Sequence, residues 1–168
     1  MRPPVLHQDI PAFPSRTFRH YHGVLKSDQP RNYPLNKTTA LCVNTVFAYP
    51  YYIAPVLFPH KKWVGLSPAF FGMGQAVAHG VIFPRLAGDK YSPGFLASFF
   101  LHIPIGVTYI RALKAEDGLS GGDIAKAAAY TVAFALVAVA GPNLVGRDRN
   151  SPYAFTKEQM GPHDVEPV

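Results

Sequence analysis

Residues 63–83 have the sequence WVGLSPAFFGMGQAVAHGVIF, which contains no Asp, Glu, Lys or Arg. An α-helix rises about 1.5 Å per residue, so a run of this length crosses a hydrocarbon core of about 30 Å. Three other runs have nearly the same length, and their only charged residue is Lys126. They cover residues 40–59, 91–110 and 124–145. Because lipid cannot hydrogen-bond the backbone, each of the four runs is predicted to be a membrane-spanning helix.

Charged residues are segregated along the chain. Most of them lie before residue 40, in the short connections between the apolar runs, or after Gly146. A water-soluble helical domain would instead carry polar residues along one face of every helix. The 168 residues therefore predict an all-α integral membrane four-helix bundle. Its predicted parts are a polar, proline-rich N-terminal arm over residues 1–39, a transmembrane domain over 40–146 and a polar C-terminal tail over 147–168.

Charge and cysteine content narrow the predicted partners and topology. The net charge of +6 comes from scattered basic residues, which favours membrane lipids as partners and excludes nucleic acid. The only cysteine, Cys42, cannot form an intramolecular disulfide. Four crossings put both termini on one membrane face, and the count of Lys and Arg near the spans predicts that this face is cytosolic. Six basic residues lie on this face: Arg31, Lys37, Arg85, Lys90, Arg147 and Arg149. The other face has five basic residues: Lys61, Lys62, Arg111, Lys114 and Lys126.

Prolines interrupt the predicted helices. Pro50 and Pro55 lie in the first helix and Pro104 lies in the third. Each removes an amide donor and leaves the carbonyl four residues earlier without its usual partner. Helices that are kinked in this way leave room for a cavity at membrane depth.

Serine residues mark three predicted helix starts. Ser67-Pro68 and Ser92-Pro93 each have the pattern of a cap followed by proline at the first helical position. Ser120–Asp123 is a glycine-containing turn that ends in an acidic residue, which predicts the start of the fourth helix.

Four polar side chains within the apolar runs are the candidate site residues: Asn44, Gln75, His79 and His102. Gln75 and His79 are four residues apart and share a helix face with small residues, which is typical of a face turned toward other helices. Ionisable groups inside a membrane are candidates for function, and imidazole exchanges protons at neutral pH. The structural alternative is that these groups only hydrogen-bond between helices, and for His102 to the carbonyl freed by Pro104.

Two hypotheses of function follow from these residues. In the first, the protein is a membrane enzyme (an isomerase, cyclase or hydrolase) acting on a lipophilic substrate, with His79 as the proton carrier and Gln75, His102 and Asn44 near it. In the second, it is a non-catalytic membrane subunit that docks a membrane protein partner through its arm and tail. The pattern leaves the choice between the two hypotheses open, and it leaves any cofactor unknown. Metal binding stays unknown, since His79 and His102 alone are too few ligands for a closed zinc site.

The chain resembles the family of multi-spanning membrane proteins named for an HXXEE motif, over roughly residues 11–113. The resemblance implies histidine and glutamate groups suited to a metal or acid–base site. The family's His-x-x-Glu-Glu helix precedes a Pro/Phe-rich connection, and residues 1–10 here contain no Glu pair. We therefore expect a truncated or divergent member that lacks this helix. The matching segments are Tyr33-Pro34-Leu35-Asn36, Asn44, Gly72-x-x-Gln75-x-x-x-His79-Gly80, Tyr91-Ser92-Pro93-Gly94 and His102-Ile103-Pro104-Ile105-Gly106.

Overall fold

Four long helices and one short helix make up the regular structure of the described residues. The computed structural model describes residues 29, 31–88, 90–92, 94–116 and 118–160; the rest of the arm and of the tail lies outside them. Each of the first four helices is long and apolar enough to cross a membrane, which confirms the predicted all-α four-helix membrane fold. Their bounds are α1, Lys37–Leu57; α2, Lys62–Leu86; α3, Phe95–Glu116; α4, Gly121–Val145; and the short α5, Lys157–Met160.

Reciprocal capping boxes begin α1 and α4. At α1 the Thr39 amide donates to the Asn36 side chain at 3.0 Å, and the Asn36 amide donates to the Thr39 hydroxyl at 2.9 Å. Ser120 and Asp123 repeat this arrangement at α4, which begins where the sequence predicted. Each box satisfies amide groups that have no partner within the helix.

The predicted helix starts at the two Ser-Pro pairs are wrong. α2 begins at Lys62, more than a turn before Ser67, and α3 begins at Phe95, after Ser92. Both serines are completely buried and use their hydroxyl groups for hydrogen bonds to other parts of the bundle. A serine cap and a buried tertiary serine look alike in sequence, because both place a small hydroxyl residue beside proline.

Each long helix contains π-helical turns just before a proline. The amides of Phe83, Ile103 and Gly141 donate to the carbonyl five residues earlier instead of four. Proline offers no N–H and its ring clashes with the carbonyl four residues before it, so a one-residue shift of the hydrogen bonds accommodates the ring. The π-helical segments are Cys42–Ala48, Ala78–Ile82, Ser98–His102 and Phe134–Ala140, followed two residues later by Pro50, Pro84, Pro104 and Pro142.

α2 is the central helix and packs against α1, α3 and α4. The core between α1, α2 and α4 is aromatic: the Tyr51 ring stacks on Phe134 at a centroid distance of 3.7 Å, and Phe71 meets both rings edge-on. Many large apolar side chains instead face outward, such as Val56 at 77% and Val145 at 89% exposure. An outer surface of this kind is suited to contact with lipid.

The arm and the tail are hydrogen-bonded to each other beside the start of α1. The Lys37 amide donates to the Tyr153 carbonyl at 2.9 Å, and the Phe155 amide donates to the Arg31 carbonyl at 2.8 Å. The Asn36 side chain, which caps α1, also donates to the Gly146 carbonyl at 3.1 Å. Two segments that are distant in sequence therefore form one polar layer on the face where α1 begins and α4 ends.

Candidate functional site

α2 and α3 pack together by placing large side chains against glycines. A methyl group added to Gly72 would lie 2.8 Å from Nδ1 of His102. The reverse arrangement also occurs, with the glycine on α3 and the large side chain on α2: a methyl group added to Gly106 would lie 2.6 Å from the sulfur of Met73. Small residues allow helices in membranes to approach closely, and we call this contact the α2–α3 seam. The seam fixes the position of His102.

His102 also lies on the wall of a groove of about 300 Å³ between α1, α2 and α3, which we call the His102 groove. Tyr52 and Pro55 line it from α1, and Tyr109, which packs on Gly65, lines it from α3. None of the described residues that line the groove is charged, and its polar side chains are Tyr52, His102 and Tyr109. Since Tyr52 and His102 remain exposed, the groove is open to the side, where α1–α4 would meet lipid.

His79 lies at the other end of the seam, where α2 approaches the connection to α3. Its Nδ1 is 2.8 Å from Oγ of Ser92. A methyl group added to Gly94 would lie 3.0 Å from Cε1 of His79, and Phe83 meets the imidazole edge-on at a centroid distance of 5.0 Å. Gly94 has a φ of +93°, so both its conformation and this close approach favour glycine. The imidazole is thereby held between α2 and the start of α3.

The four predicted site residues are spread along the bundle. Gly72, which His102 contacts, lies two helical turns from His79, or about 10 Å along α2. Gln75 is half-buried between these two positions. Asn44 is exposed on α1, where its side chain donates to the carbonyl four residues earlier at 2.8 Å. One of the four, His102, lines the groove between α1, α2 and α3.

A chain of hydroxyl groups joins α1, α2 and α4, and the sequence pattern did not indicate it. Oη of Tyr51 is 2.7 Å from Oγ of Ser67, which is 2.9 Å from Oγ1 of Thr131. On α4, Ala127, Thr131, Phe134 and Ala138 follow the four-three-four spacing of one helix face. A search of α4 for that spacing would have identified Thr131 as an inward-facing residue.

A larger groove of about 710 Å³ lies between α1 and α4. Its walls run from Thr45 to Phe58 on α1 and from Tyr130 to Ala138 on α4, and they are mostly apolar. The polar side chains in this lining are Thr45, Tyr49, Tyr51 and Tyr130, whereas the imidazole of His102 lies in the smaller groove.

The histidines do not fit a shared metal site. No three His, Cys, Asp or Glu side chains lie close enough to hold a metal ion within the part of the chain that the structure describes. His79 and His102 contact different ends of the seam, so they cannot bind the same ion.

Comparison with known proteins identifies the family of this chain. The family model described as "Protein of unknown function with HXXEE motif" matches residues 15–109. This span includes α1, α2 and most of α3, and therefore the seam, both histidines and the His102 groove. Neither a curated protein nor a solved structure matches the chain. Because the family model covers more than half of the 168 residues, the chain belongs to the HXXEE motif family.

Proposed function

We propose that this protein is a membrane enzyme that carries out acid–base chemistry on a neutral lipophilic substrate in the His102 groove. The observation that supports this proposal is an imidazole on the wall of an apolar recess of about 300 Å³ at membrane depth. Apolar recesses with a few convergent polar groups are the usual form of small-molecule sites. A substrate dissolved in the bilayer would enter sideways between α1 and α3.

The lining of the groove supports one class of substrate. A charged group would be costly to bury there, because no charged described residue lines the groove. The hydroxyl groups of Tyr52 and Tyr109 and the imidazole of His102 suit a ligand with a hydroxyl or carbonyl group. The substrate is therefore an uncharged lipid-soluble molecule that carries at least one hydrogen-bonding group.

In this proposal His102 takes the role that the sequence assigned to His79. Imidazole accepts and returns a proton near neutral pH, which serves an isomerisation, a cyclisation or a hydrolysis. His79 contributes by holding α2 against the start of α3 through Ser92, which keeps the seam in register. The two histidines thus have separate roles that substitution can distinguish.

The experiment compares His102→Gln with His79→Gln in purified protein. Membrane lipids extracted from the host are incubated with each variant, and mass spectrometry follows the neutral lipids that are consumed. We expect the parent protein to convert a neutral lipid, His102→Gln to lose at least 100-fold of that rate (about the lower limit for a general acid–base group) and His79→Gln to keep most of it. Equal turnover by the parent and His102→Gln would disprove the acid–base role.

Occupancy of the groove can be tested without knowing the reaction. A neutral fatty alcohol that carries a photoreactive diazirine should label peptides around Ile105, and Ala69→Trp should block this labelling by filling the groove. Ala133→Trp, which fills the larger α1–α4 groove, is the matched control and should leave labelling near Ile105 unchanged. Labelling that is insensitive to Ala69→Trp would show that the probe binds elsewhere.

A docking subunit is the second candidate function, supported by the hydrogen-bonded layer of arm and tail. Such a layer offers a pre-ordered polar surface at a membrane face, which lowers the entropic cost of binding a partner. In that case, chemical cross-linking in native membranes would join the tail to a second membrane protein, and lipid turnover would be absent.

A further inference from the structure

We propose that the substrate of the His102 groove carries two hydrogen-bonding groups about 10 Å apart, one bound by Tyr109 and the other reacting at His102. This inference rests on the proposed function, since it names the substrate class of the same groove. Tyr109 and His102 are seven residues apart on α3, and both line the groove.

Three ring side chains of α3 each pack on a glycine of α2 with a regular spacing. A methyl group added to Gly80 would lie 2.7 Å from Cε2 of Phe95, and one added to Gly65 would overlap Oη of Tyr109. The rings are seven residues apart on α3, and the glycines that receive them are seven or eight residues apart on α2. Side chains seven residues apart lie on one face of a helix. The pairs are Gly65 with Tyr109, Gly72 with His102, and Gly80 with Phe95.

The glycine contacts set the distance between two polar groups of the groove. Oη of Tyr109 lies against Gly65. Nδ1 of His102 lies against Gly72, which is seven residues further along the same face of α2. Seven residues correspond to about 10 Å along a helix axis. All four residues line the groove, so a ligand that lies along it reaches both polar groups when its own polar groups have a similar separation.

The two polar groups lie at different depths in the membrane. Tyr109 precedes Arg111 by two residues, and Gly65 follows Lys62 by three. Both therefore lie near the membrane face where α1 ends and α2 begins, at the level where tyrosine is common. His102 lies about 10 Å deeper, within the hydrocarbon core. The inferred substrate is thus an amphiphile whose polar end stays at the interface and whose reacting group is part-way down its chain.

The polar side chains of the groove have hydrogen-bonding capacity left for a ligand. The side chains of Tyr52, His102 and Tyr109 form no hydrogen bond with another described residue. Tyr51, which is next to Tyr52 on α1, instead uses its hydroxyl group for a hydrogen bond with Ser67. A polar group without a partner is costly in hydrocarbon, so a hydroxyl or carbonyl group of a ligand would be stabilised beside each of the three.

The test varies the position of the second polar group in a ligand of constant composition. Three dodecanediols have one hydroxyl group at the end of the chain and the second on the fourth, eighth or twelfth carbon. In the extended chain their two oxygens are about 6, 11 and 16 Å apart. Each isomer competes with the photoreactive fatty alcohol for labelling of the peptides around Ile105.

Two variants show which hydroxyl group of the protein is responsible. Tyr109→Phe removes the hydroxyl group but keeps the ring, and Phe95 shows that a phenyl ring fits such a contact with glycine. Tyr130→Phe is the matched control, because it removes a hydroxyl group from the larger groove. Both variants should therefore keep the fold of the parent protein, which circular dichroism verifies.

We expect the isomer with its second hydroxyl group on the eighth carbon to protect the parent protein best. It should act at about three- to tenfold lower concentration than the other two isomers, the usual effect of one additional neutral hydrogen bond. Tyr109→Phe should abolish this preference, and Tyr130→Phe should keep it. Equal protection by the three isomers in the parent, or an unchanged preference in Tyr109→Phe, would overturn the inference.

These outcomes separate the two-point substrate from the proposed reaction. Equal protection by the three isomers would reject two-point binding and leave a substrate with one polar group for the proposed enzyme. A preference for the eighth-carbon isomer in a protein that turns over no lipid would support two-point binding and reject the acid–base activity. If no isomer protected the protein, the groove would not bind neutral alcohols, and both proposals would be wrong.

Discussion

Replacing Gly72 by alanine tests whether the α2–α3 seam depends on glycine, and Gly74→Ala provides a control on the same helix. An added methyl group at Gly74 meets no atom within 4 Å. Gly74→Ala should therefore stabilise the protein by about 0.5–1 kcal/mol, the usual gain when alanine replaces glycine inside a helix. Gly72→Ala should gain the same stabilisation from alanine inside a helix. Its methyl group, however, would lie 2.8 Å from Nδ1 and 3.4 Å from Cβ of His102.

Contacts between heavy atoms are most favourable at about 3.5–4.0 Å, so the imidazole of His102 must move away from α2 in Gly72→Ala. Overpacking of this kind costs about 1–3 kcal/mol. The free energies of unfolding of the two variants should then differ by about 1–3 kcal/mol, with Gly72→Ala the less stable. Titration with dodecyl sulfate in mixed micelles, followed by circular dichroism, measures this difference. Equal stability of the two variants would refute the packing account of the seam.

Two further predictions concern the hydroxyl chain and the topology. Tyr51→Phe keeps the stack on Phe134 but removes one hydroxyl group, so it should lower the free energy of unfolding by about 1 kcal/mol. When Thr131→Val is added to Tyr51→Phe, it should lower the free energy of unfolding by less than it does in the parent protein. If the effects of the two substitutions were strictly additive, the two hydroxyl groups would not be coupled. Protease-sensitive tags at the two ends of the chain should be cut from the same side of sealed vesicles, because the arm and tail are hydrogen-bonded to each other. Cleavage of the two tags from opposite sides would contradict the four-span arrangement.

The fold followed from the sequence because the four runs are distinct in length and charge. Their predicted limits differ by a few residues from the helices, as at Lys37, where α1 begins inside the predicted arm. The periodic signal of an apolar run fades at its edges, where capping residues such as Asn36 decide the start. Pro50 and Pro104 were identified as interruptions, whereas the π-helical turns before Pro84 and Pro142 follow the same physics and were not predicted.

The candidate site was less predictable than the fold. Sequence spacing shows which residues share a helix face, but not which glycine a histidine packs against on the neighbouring helix. Gln75 and His79 could therefore be placed on a face turned toward other helices, yet the separation of His79 from His102 by two turns depends on the register of the seam. Ser67 shows a related limit, because its hydroxyl group bonds to residues 16 and 64 positions away in the chain. Only the packed bundle brings such residues together.

The hydrogen bond from Asn36 to Gly146 spans 110 residues, and the bond from Asn32 to Arg149 spans 117. During synthesis, α1 enters the membrane long before its partners in the tail have been made. The capping box of Asn36 and Thr39 is local and can form as soon as α1 does, but the hydrogen bonds to Gly146 and Arg149 must wait until α4 has inserted and the tail can fold back. Closure of the layer of arm and tail is thus a late event in biogenesis, and a chain stopped at the end of α4 would lack both of these bonds.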